Sequence, residues 1–149
     1  MFPLPLPMQA ALDAARAAAD MGEVPVGAVV TQGTQIVAVS GNAPRRLCDP
    51  TAHAEMLAIR EAARILGRDR LEDCDLWVTL EPCAMCAGAI AHARIARVYY
   101  GADDAKGGAV EHGPRFFTQP TCHHRPELFS GIGAAASAAL LRGFFAARR

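Results

Sequence analysis

The sequence predicts an α/β domain with three layers, α/β/α, around a mixed, mostly parallel five-stranded sheet. Three observations predict this class. Short β-rich runs alternate along the chain with Ala-rich stretches whose apolar residues have helical spacing. Two of the β-rich runs flank a turn signal near the start of the chain, which indicates one hairpin. A further Ala-rich stretch begins directly after a β-rich run, as a crossover helix does beside a parallel sheet.

The elements follow from apolar periodicity and from turn residues. The 149 residues have the length of one domain, 1–149, and prolines at three of the first seven positions make 1–7 an expected extended arm. Gly33 centres the hairpin turn, and Gly67 ends a helix. Gly143 weakens the last helix by roughly 1 kcal/mol. The expected elements are a helix over 8–21, strands over 24–31 and 35–40, a helix over 52–66, a strand over 75–80, a helix over 83–94, a strand over 97–101, a short helix near 114–118, a strand over 127–130 and a helix over 134–147.

Composition excludes few classes of protein, but the distribution of charge is informative. The formal net charge is zero, although residues 90–149 hold eight basic and four acidic side chains. Lys106 is the only lysine, and arginine suits bidentate contacts to phosphate. A general preference for arginine explains this composition equally well. No apolar run is long enough to span a membrane. The three cysteines outside the Cys-x-x-Cys pair are an odd number, and together with the lack of a convincing secretory signal they indicate a reducing cytoplasm.

The most informative segments are His53-Ala-Glu55 and Pro82-Cys83-Ala-Met-Cys86. A structural zinc ion normally has four protein ligands, whereas a catalytic one has three and an open position for water. Here His53, Cys83 and Cys86 supply three ligands, and Glu55 remains as a proton carrier. A lone Cys-x-x-Cys pair is more often a redox pair or half of a four-ligand site, but the joint pattern resembles the signature of zinc nucleobase deaminases.

Both ligand segments are expected at helix N-termini. Thr51 is a plausible N-cap, so that His53 and Glu55 would lie in the first turn of the helix that follows. Cys83 begins the second helix after Pro82. Free backbone N–H groups at a helix N-terminus lower the pKa of a thiol and favour the thiolate that zinc requires.

Over nearly the whole chain the sequence resembles the bacterial tRNA-specific adenosine deaminases, which have the cytidine deaminase-like fold. The segments that carry this resemblance are 23–29, 41–42, 49–56, 78–88, 93–95, 100–107, 124–125, 144–145 and 148–149. The resemblance implies one zinc ion per subunit and deamination of adenosine to inosine at wobble position 34 of a tRNA anticodon. Zinc-bound hydroxide would attack C6 while Glu55 moves the protons. It also implies a homodimer that binds the anticodon stem-loop.

The resemblance further assigns substrate contacts. The residues it implicates are Val24, Asn42, Ala54, Asp104, Lys106, His124, Arg148 and Arg149. Asn42 taken alone is better interpreted as a turn residue, because Gly-Asn is a turn dipeptide, and only the resemblance favours a substrate contact. The chain departs from the family at Asp103, where a second negative charge adjoins Asp104, and in its short C-terminus.

Two other classes of protein stay open at the level of sequence. One is a deaminase of a free base or nucleoside, such as guanine or cytidine, which uses the same zinc chemistry without RNA. The other is a zinc-stabilised binding module without turnover. Glu55 argues against the second class, because a structural site has no use for a carboxylate at that position.

Overall fold

The computed structural model describes residues 3–148, so that Met1, Phe2 and Arg149 lie outside the described residues. The described chain forms four α-helices, five strands and one 3-10 turn. In chain order they are α1 (Leu6–Asp20), β1 (Gly27–Gln32), β2 (Gln35–Gly41), α2 (Ala54–Leu66), β3 (Cys74–Leu80), α3 (Ala84–Ala93), β4 (Arg97–Ala102), the 3-10 turn (Phe116–Thr118), β5 (Glu127–Phe129) and α4 (Ala134–Ala146). Every expected element is present within a few residues of its predicted bounds.

The five strands form one mixed sheet in the order β2-β1-β3-β4-β5. β1 pairs antiparallel with both of its neighbours, whereas β3–β4 and β4–β5 pair parallel. The antiparallel registers are together the longer ones, so the expectation of a mostly parallel sheet is wrong. β2 and β3 do point the same way, but β1 lies between them, and the crossover through α2 therefore creates no parallel pair.

Helices cover both faces of the sheet and complete the predicted three layers. On one face α1 packs against β1, β2 and β3, and α4 packs against β4 and β3. On the other face α2 packs against β2 and β1 and also contacts α3. Successive residues of β1 alternate between the two cores: Val29 packs with α1, while Ala28 and Val30 belong to the larger core on the opposite face.

Two helix starts differ from the sequence expectation. α1 begins at Leu6, so the last two residues of the expected arm 1–7 are helical, and Met1 and Phe2 of that arm lie outside the described residues. Pro7 fits the first turn because its missing N–H has no helical partner there. α2 begins at Ala54 with His53 as N-cap, not at Ala52 after Thr51. The Thr51 hydroxyl donates a 2.7 Å hydrogen bond to Asp49 Oδ1 and caps no helix.

A close backbone approach fixes α1 against β1. A Cβ atom built on Gly27 would lie 1.8 Å from the carbonyl oxygen of Ala11, so that only glycine fits this position.

Among the described residues, no helix combines the length and the apolar character needed to cross a bilayer.

Two glycine-to-alanine substitutions should change stability in opposite directions. Gly27→Ala forces α1 away from β1 and should destabilise the fold by about 3 kcal/mol or more, because the obstacle is backbone. Gly143→Ala, exposed within α4 with nothing within 4 Å of a new Cβ, should stabilise the fold by roughly 1 kcal/mol. Urea unfolding of both variants measures the difference, and equal effects would contradict the packing described for α1.

Candidate active site

Three ligand side chains converge where α2 and α3 begin. His53 is the N-cap of α2 and Cys83 is the N-cap of α3, while Cys86 lies in the first turn of α3. His53 Nδ1 lies 3.6 Å from the Sγ atom of Cys83 and 3.6 Å from that of Cys86. Tetrahedral zinc, with Zn–S of about 2.3 Å and Zn–N of about 2.0–2.1 Å, separates S and N by about 3.5–3.6 Å. The three residues therefore fit one zinc ion.

The electrostatics of the cluster favour a cation. The pKa of Cys83 is lowered to about 4, chiefly by the hydrogen bond from the Cys86 thiol and also by His53. The same hydrogen bond, together with burial, raises the pKa of Cys86. The hydrogen bond with Cys83 raises the pKa of His53, against the effect of burial. The lowered pKa of Cys83 favours its thiolate, and a divalent cation between the sulfurs would release the proton of the second thiol.

Glu55 is the carboxylate beside this cluster. It lies in the first turn of α2, is only 4% exposed, and its burial raises its pKa to about 7. A cavity of about 320 Å³ opens on Glu55 and on two of the ligands, His53 and Cys83. The residues that line it are Val24, Val26, Asn42, Pro44, His53, Glu55, Leu80, Glu81, Cys83, Asp104 and Gly107.

Asn42 supports the start of α2 from a distance in sequence. Neither α2 nor α3 has a hydrogen bond from its own N-cap side chain, since His53 and Cys83 face the ligand cluster. Instead Asn42 Oδ1 accepts a 2.7 Å hydrogen bond from the backbone N–H of Ala54. The Asn42 Nδ2 group has no hydrogen-bond partner among residues 3–148 and remains a donor in the cavity wall. Ala54 is fully buried and contributes this backbone contact.

A second cavity of about 740 Å³ adjoins the first, and the two share Val24, Leu80 and Asp104. Lys106 and Arg148 line this second cavity together with apolar side chains of α4. The Arg148 guanidinium lies 3.5 Å above the centre of the Phe144 ring and donates a 3.2 Å hydrogen bond to the Phe144 carbonyl. The sequence-predicted contacts at Asp104, Lys106 and Arg148 therefore lie along one continuous opening.

Two predicted contact residues are not placed in this opening. His124 lies at the other end of β4, where its Nε2 atom is 2.7 Å from the carbonyl oxygen of Ile95. The cavity that it lines also contains Arg70 and Arg94 and is separate from the two cavities described above. Arg149 lies outside the described residues.

Sequence reasoning missed two buried carboxylates that hold the walls of the cavity. Glu23 is 2% exposed and accepts hydrogen bonds from the backbone N–H groups of Arg45 and Arg46, at 3.2 and 2.7 Å. Glu81, also 2% exposed, accepts hydrogen bonds from the segment around Asp104 and His112. Burial raises the pKa of Glu81, but these hydrogen bonds outweigh burial and lower it overall. The available signal was an acidic residue directly beside an apolar strand.

Comparisons with known proteins agree with this geometry. Residues 6–102 match a family model described as the cytidine and deoxycytidylate deaminase zinc-binding region. The tRNA-specific adenosine deaminase of Agrobacterium fabrum is 56% identical over 142 residues, which cover 95% of this chain and 93% of the relative. That of Rickettsia bellii is 49% identical over 140 residues, which cover 93% and 97%.

Two solved structures of deaminases are also similar to this chain. One from a study of A-to-I editing by tRNA:A34 deaminases at the wobble position of transfer RNA matches with a TM-score of 0.90 at 56% identity, covering 91% of this chain and 98% of that one. Guanine deaminase from Bacillus subtilis matches with a TM-score of 0.66 at 33% identity, over 83% of this chain and 82% of that chain.

The fold, the three-ligand cluster and the buried carboxylate beside it define a zinc-dependent deaminase. Within that class, the chain belongs to the family of tRNA-specific adenosine deaminases.

Replacement of one ligand tests the cluster. Wild-type protein should contain one zinc ion per chain, and Cys86→Ser should lose it, because a serine hydroxyl stays protonated at neutral pH. Cys48→Ser, which alters an exposed thiol outside the cluster, is the control and should retain zinc. Elemental analysis measures all three proteins. Full zinc content in Cys86→Ser would contradict the ligand assignment.

Proposed function

We propose that this chain converts adenosine to inosine by hydrolysis at wobble position 34 of a tRNA anticodon. The observation that carries the proposal is the open three-ligand cluster with Glu55 beside it, at the base of a cavity of about 320 Å³. Relatives that share about half of the sequence across almost its full length, named tRNA-specific adenosine deaminases, support the choice of substrate.

The chemistry needs an acidified water and a proton carrier. A zinc ion bound by His53, Cys83 and Cys86 supplies Lewis acidity and lowers the pKa of water to about 7. Glu55, buried at the cavity base, takes a proton from the water that attacks C6 of adenine. The same carboxyl group delivers this proton to the ring nitrogen and then carries the second proton, from the new hydroxyl group on C6, to the departing amine, so that one water enters and ammonia leaves.

The cavity wall orients the base. Asn42 lines the cavity, and the hydrogen bond from the Ala54 N–H to its Oδ1 atom fixes the orientation of the carboxamide before substrate binds. Val24 provides an apolar contact beside it. We assign Asn42 to a hydrogen bond with the base edge or the sugar of the target nucleotide.

The adjoining cavity provides room for the rest of the RNA. The target base must leave its stack to reach the cluster, which costs less in an anticodon loop than in a duplex. Lys106 and Arg148 are the basic residues that line the adjoining cavity, and cationic side chains supply most of the affinity for a phosphate backbone. The substrate on this proposal is therefore the anticodon stem-loop.

The assembly and location follow from the family rather than from the cavity. We propose a homodimer in which the RNA crosses both subunits, as the resemblance implies. The free thiols and the zinc cluster suit a reducing compartment, and we assign the protein to the cytoplasm.

A deaminase of a free base is the second candidate. The similarity to guanine deaminase from Bacillus subtilis and the zero formal net charge favour it. One experiment separates the two candidates: the protein is incubated with an anticodon stem-loop that carries a wobble adenosine and, separately, with free adenosine, guanine and cytidine. Inosine formed only in the stem-loop supports the proposal. Deaminated free base without inosine in the RNA would overturn it.

Loss of the proton carrier should abolish turnover while the fold is retained. Glu55→Gln preserves the shape of the side chain, but the amide cannot carry protons, so the rate should fall by about 10²–10⁴-fold or more. Single-turnover assays with the stem-loop measure the rate, and elemental analysis checks that zinc remains. A variant that keeps more than about a tenth of the wild-type rate would show that Glu55 is not the carrier.

The contact to RNA should depend on salt. Arg148→Ala should weaken binding of the stem-loop and reduce the slope of log K against log[salt] by about one, because one phosphate contact is lost. Arg64→Ala is the matched control, since Arg64 lies in the last turn of α2, away from the cavities. Binding titrations over a salt series measure both variants, and identical slopes would place Arg148 outside the RNA interface.

A further inference from the structure

The Glu81 carboxylate is the most heavily hydrogen-bonded side chain in the described part of the chain. Its Oε2 atom accepts from the backbone N–H groups of Val110, Glu111 and His112, at 3.1, 3.0 and 3.1 Å. Its Oε1 atom accepts from the backbone N–H of Asp104 at 3.0 Å and lies 2.7 Å from His112 Nδ1. A carboxylate has about four lone-pair sites, so these partners leave Glu81 no capacity to bind substrate or to carry its protons.

One carboxylate thus holds both ends of a single segment, residues 103–112, here named the 103–112 loop. Asp104 lies at its start, and Val110, Glu111 and His112 form its end. Between these two points, Asp104 and Gly107 line the active-site cavity, and Lys106 lines the adjoining one. The cavity-lining part of the loop therefore lies between the residues that Glu81 binds at the start and at the end of the loop.

The middle of the loop packs directly on this carboxylate. A Cβ atom built on Gly108 would lie 2.5 Å from Cδ and from Oε2 of Glu81, and also 2.5 Å from the Asp104 carbonyl oxygen. The loop is fixed further by hydrogen bonds from Gly108 N to Asp104 O and from Ala109 N to Pro82 O, both at 2.9 Å. Pro82 and Cys83 follow Glu81 directly, so the loop is attached to the same short segment that supplies a zinc ligand.

We propose that Glu81 is a positioning residue that holds the 103–112 loop as one wall of the active site and thereby sets the affinity for the RNA substrate. Glu81 acts through the loop and leaves the proton transfers to Glu55. Its loss should therefore raise KM for RNA much more than it lowers kcat. The effect on KM rests on the proposed function, whereas the effect on the loop itself does not.

Glu81→Gln tests the proposal, because the amide keeps the size of the side chain but turns one acceptor into a donor that faces N–H groups. Hydrogen exchange should become faster at the amides of Asp104, Val110, Glu111 and His112, while zinc content is unchanged. KM for the anticodon stem-loop should rise by about tenfold or more, the factor expected for one lost hydrogen bond to a charged group, with kcat within about threefold.

Glu23→Gln is the matched control. Glu23 is equally buried and also accepts hydrogen bonds from backbone N–H groups, but its partners are Arg45 and Arg46, which directly follow the cavity-lining Pro44 and lie outside the 103–112 loop. In this variant exchange should become faster at Arg45 and Arg46 and remain at the wild-type rate in the 103–112 loop. Faster exchange in the loop in both variants would indicate a general loss of stability and would overturn the specific role of Glu81.

Two further outcomes would overturn the proposal: unchanged exchange in the loop of Glu81→Gln, or faster exchange with unchanged KM.

If Glu81→Gln does not fold, His112→Ala tests the proposal instead, since it removes one of the five hydrogen-bond partners of Glu81 and changes only a partly exposed residue. It should speed exchange at residues 110–112 and raise KM by a smaller factor, and wild-type behaviour in both would overturn the proposal. If the wild-type protein is inactive on RNA, the proposed function fails, but the exchange measurements still decide whether Glu81 holds the loop.

Discussion

The requirement that His53 Nδ1 lie 3.6 Å from two sulfurs at once is the constraint on which the remaining site depends. It makes the N-cap side chains of α2 and α3 face each other, so that neither can cap its own helix. The free amide at the start of α2 is then bound by Asn42, which belongs to the loop after β2. A residue that fixes the helix start thereby becomes part of the cavity wall, and substrate positioning is coupled to the geometry of the cluster.

Three buried carboxylates around one cavity show how environment decides the role of a side chain. Glu81 is surrounded by N–H donors, which lower its pKa in spite of burial. Glu23 accepts hydrogen bonds from two backbone N–H groups. Glu55 is buried without comparable donors, and its pKa is raised to about 7. Glu81 and Glu23 thus hold loops by accepting hydrogen bonds from backbone N–H groups, while Glu55 is the one free to exchange a proton.

Local pattern was enough to predict the hairpin, the helices and the two ligand segments at helix starts, because each depends on residues close together in sequence. That the two segments, 30 residues apart, form one site followed from the joint pattern and not from local spacing. The orientation of the sheet was not predictable in this way, since it depends on β1 inserting between β2 and β3. The start of α2 was predicted too early because a capping threonine and a metal ligand compete for the same turn, and the ligand determines where the helix begins. The amide partners of Glu81 lie 23 to 31 residues further along the chain, and no short motif contains them.

The central position of β1 also has a consequence for the order of folding. The β1–β2 hairpin needs only local contacts and can form within about 1–10 μs. The β1–β3 register instead joins Gln32 to Cys74, and the intervening chain must close as a loop before that pairing contributes any stability. The three zinc ligands, 30 and 33 residues apart, lie at the starts of the helices that precede and follow β3. An ion held by them would join these two helices and so stabilise the native topology.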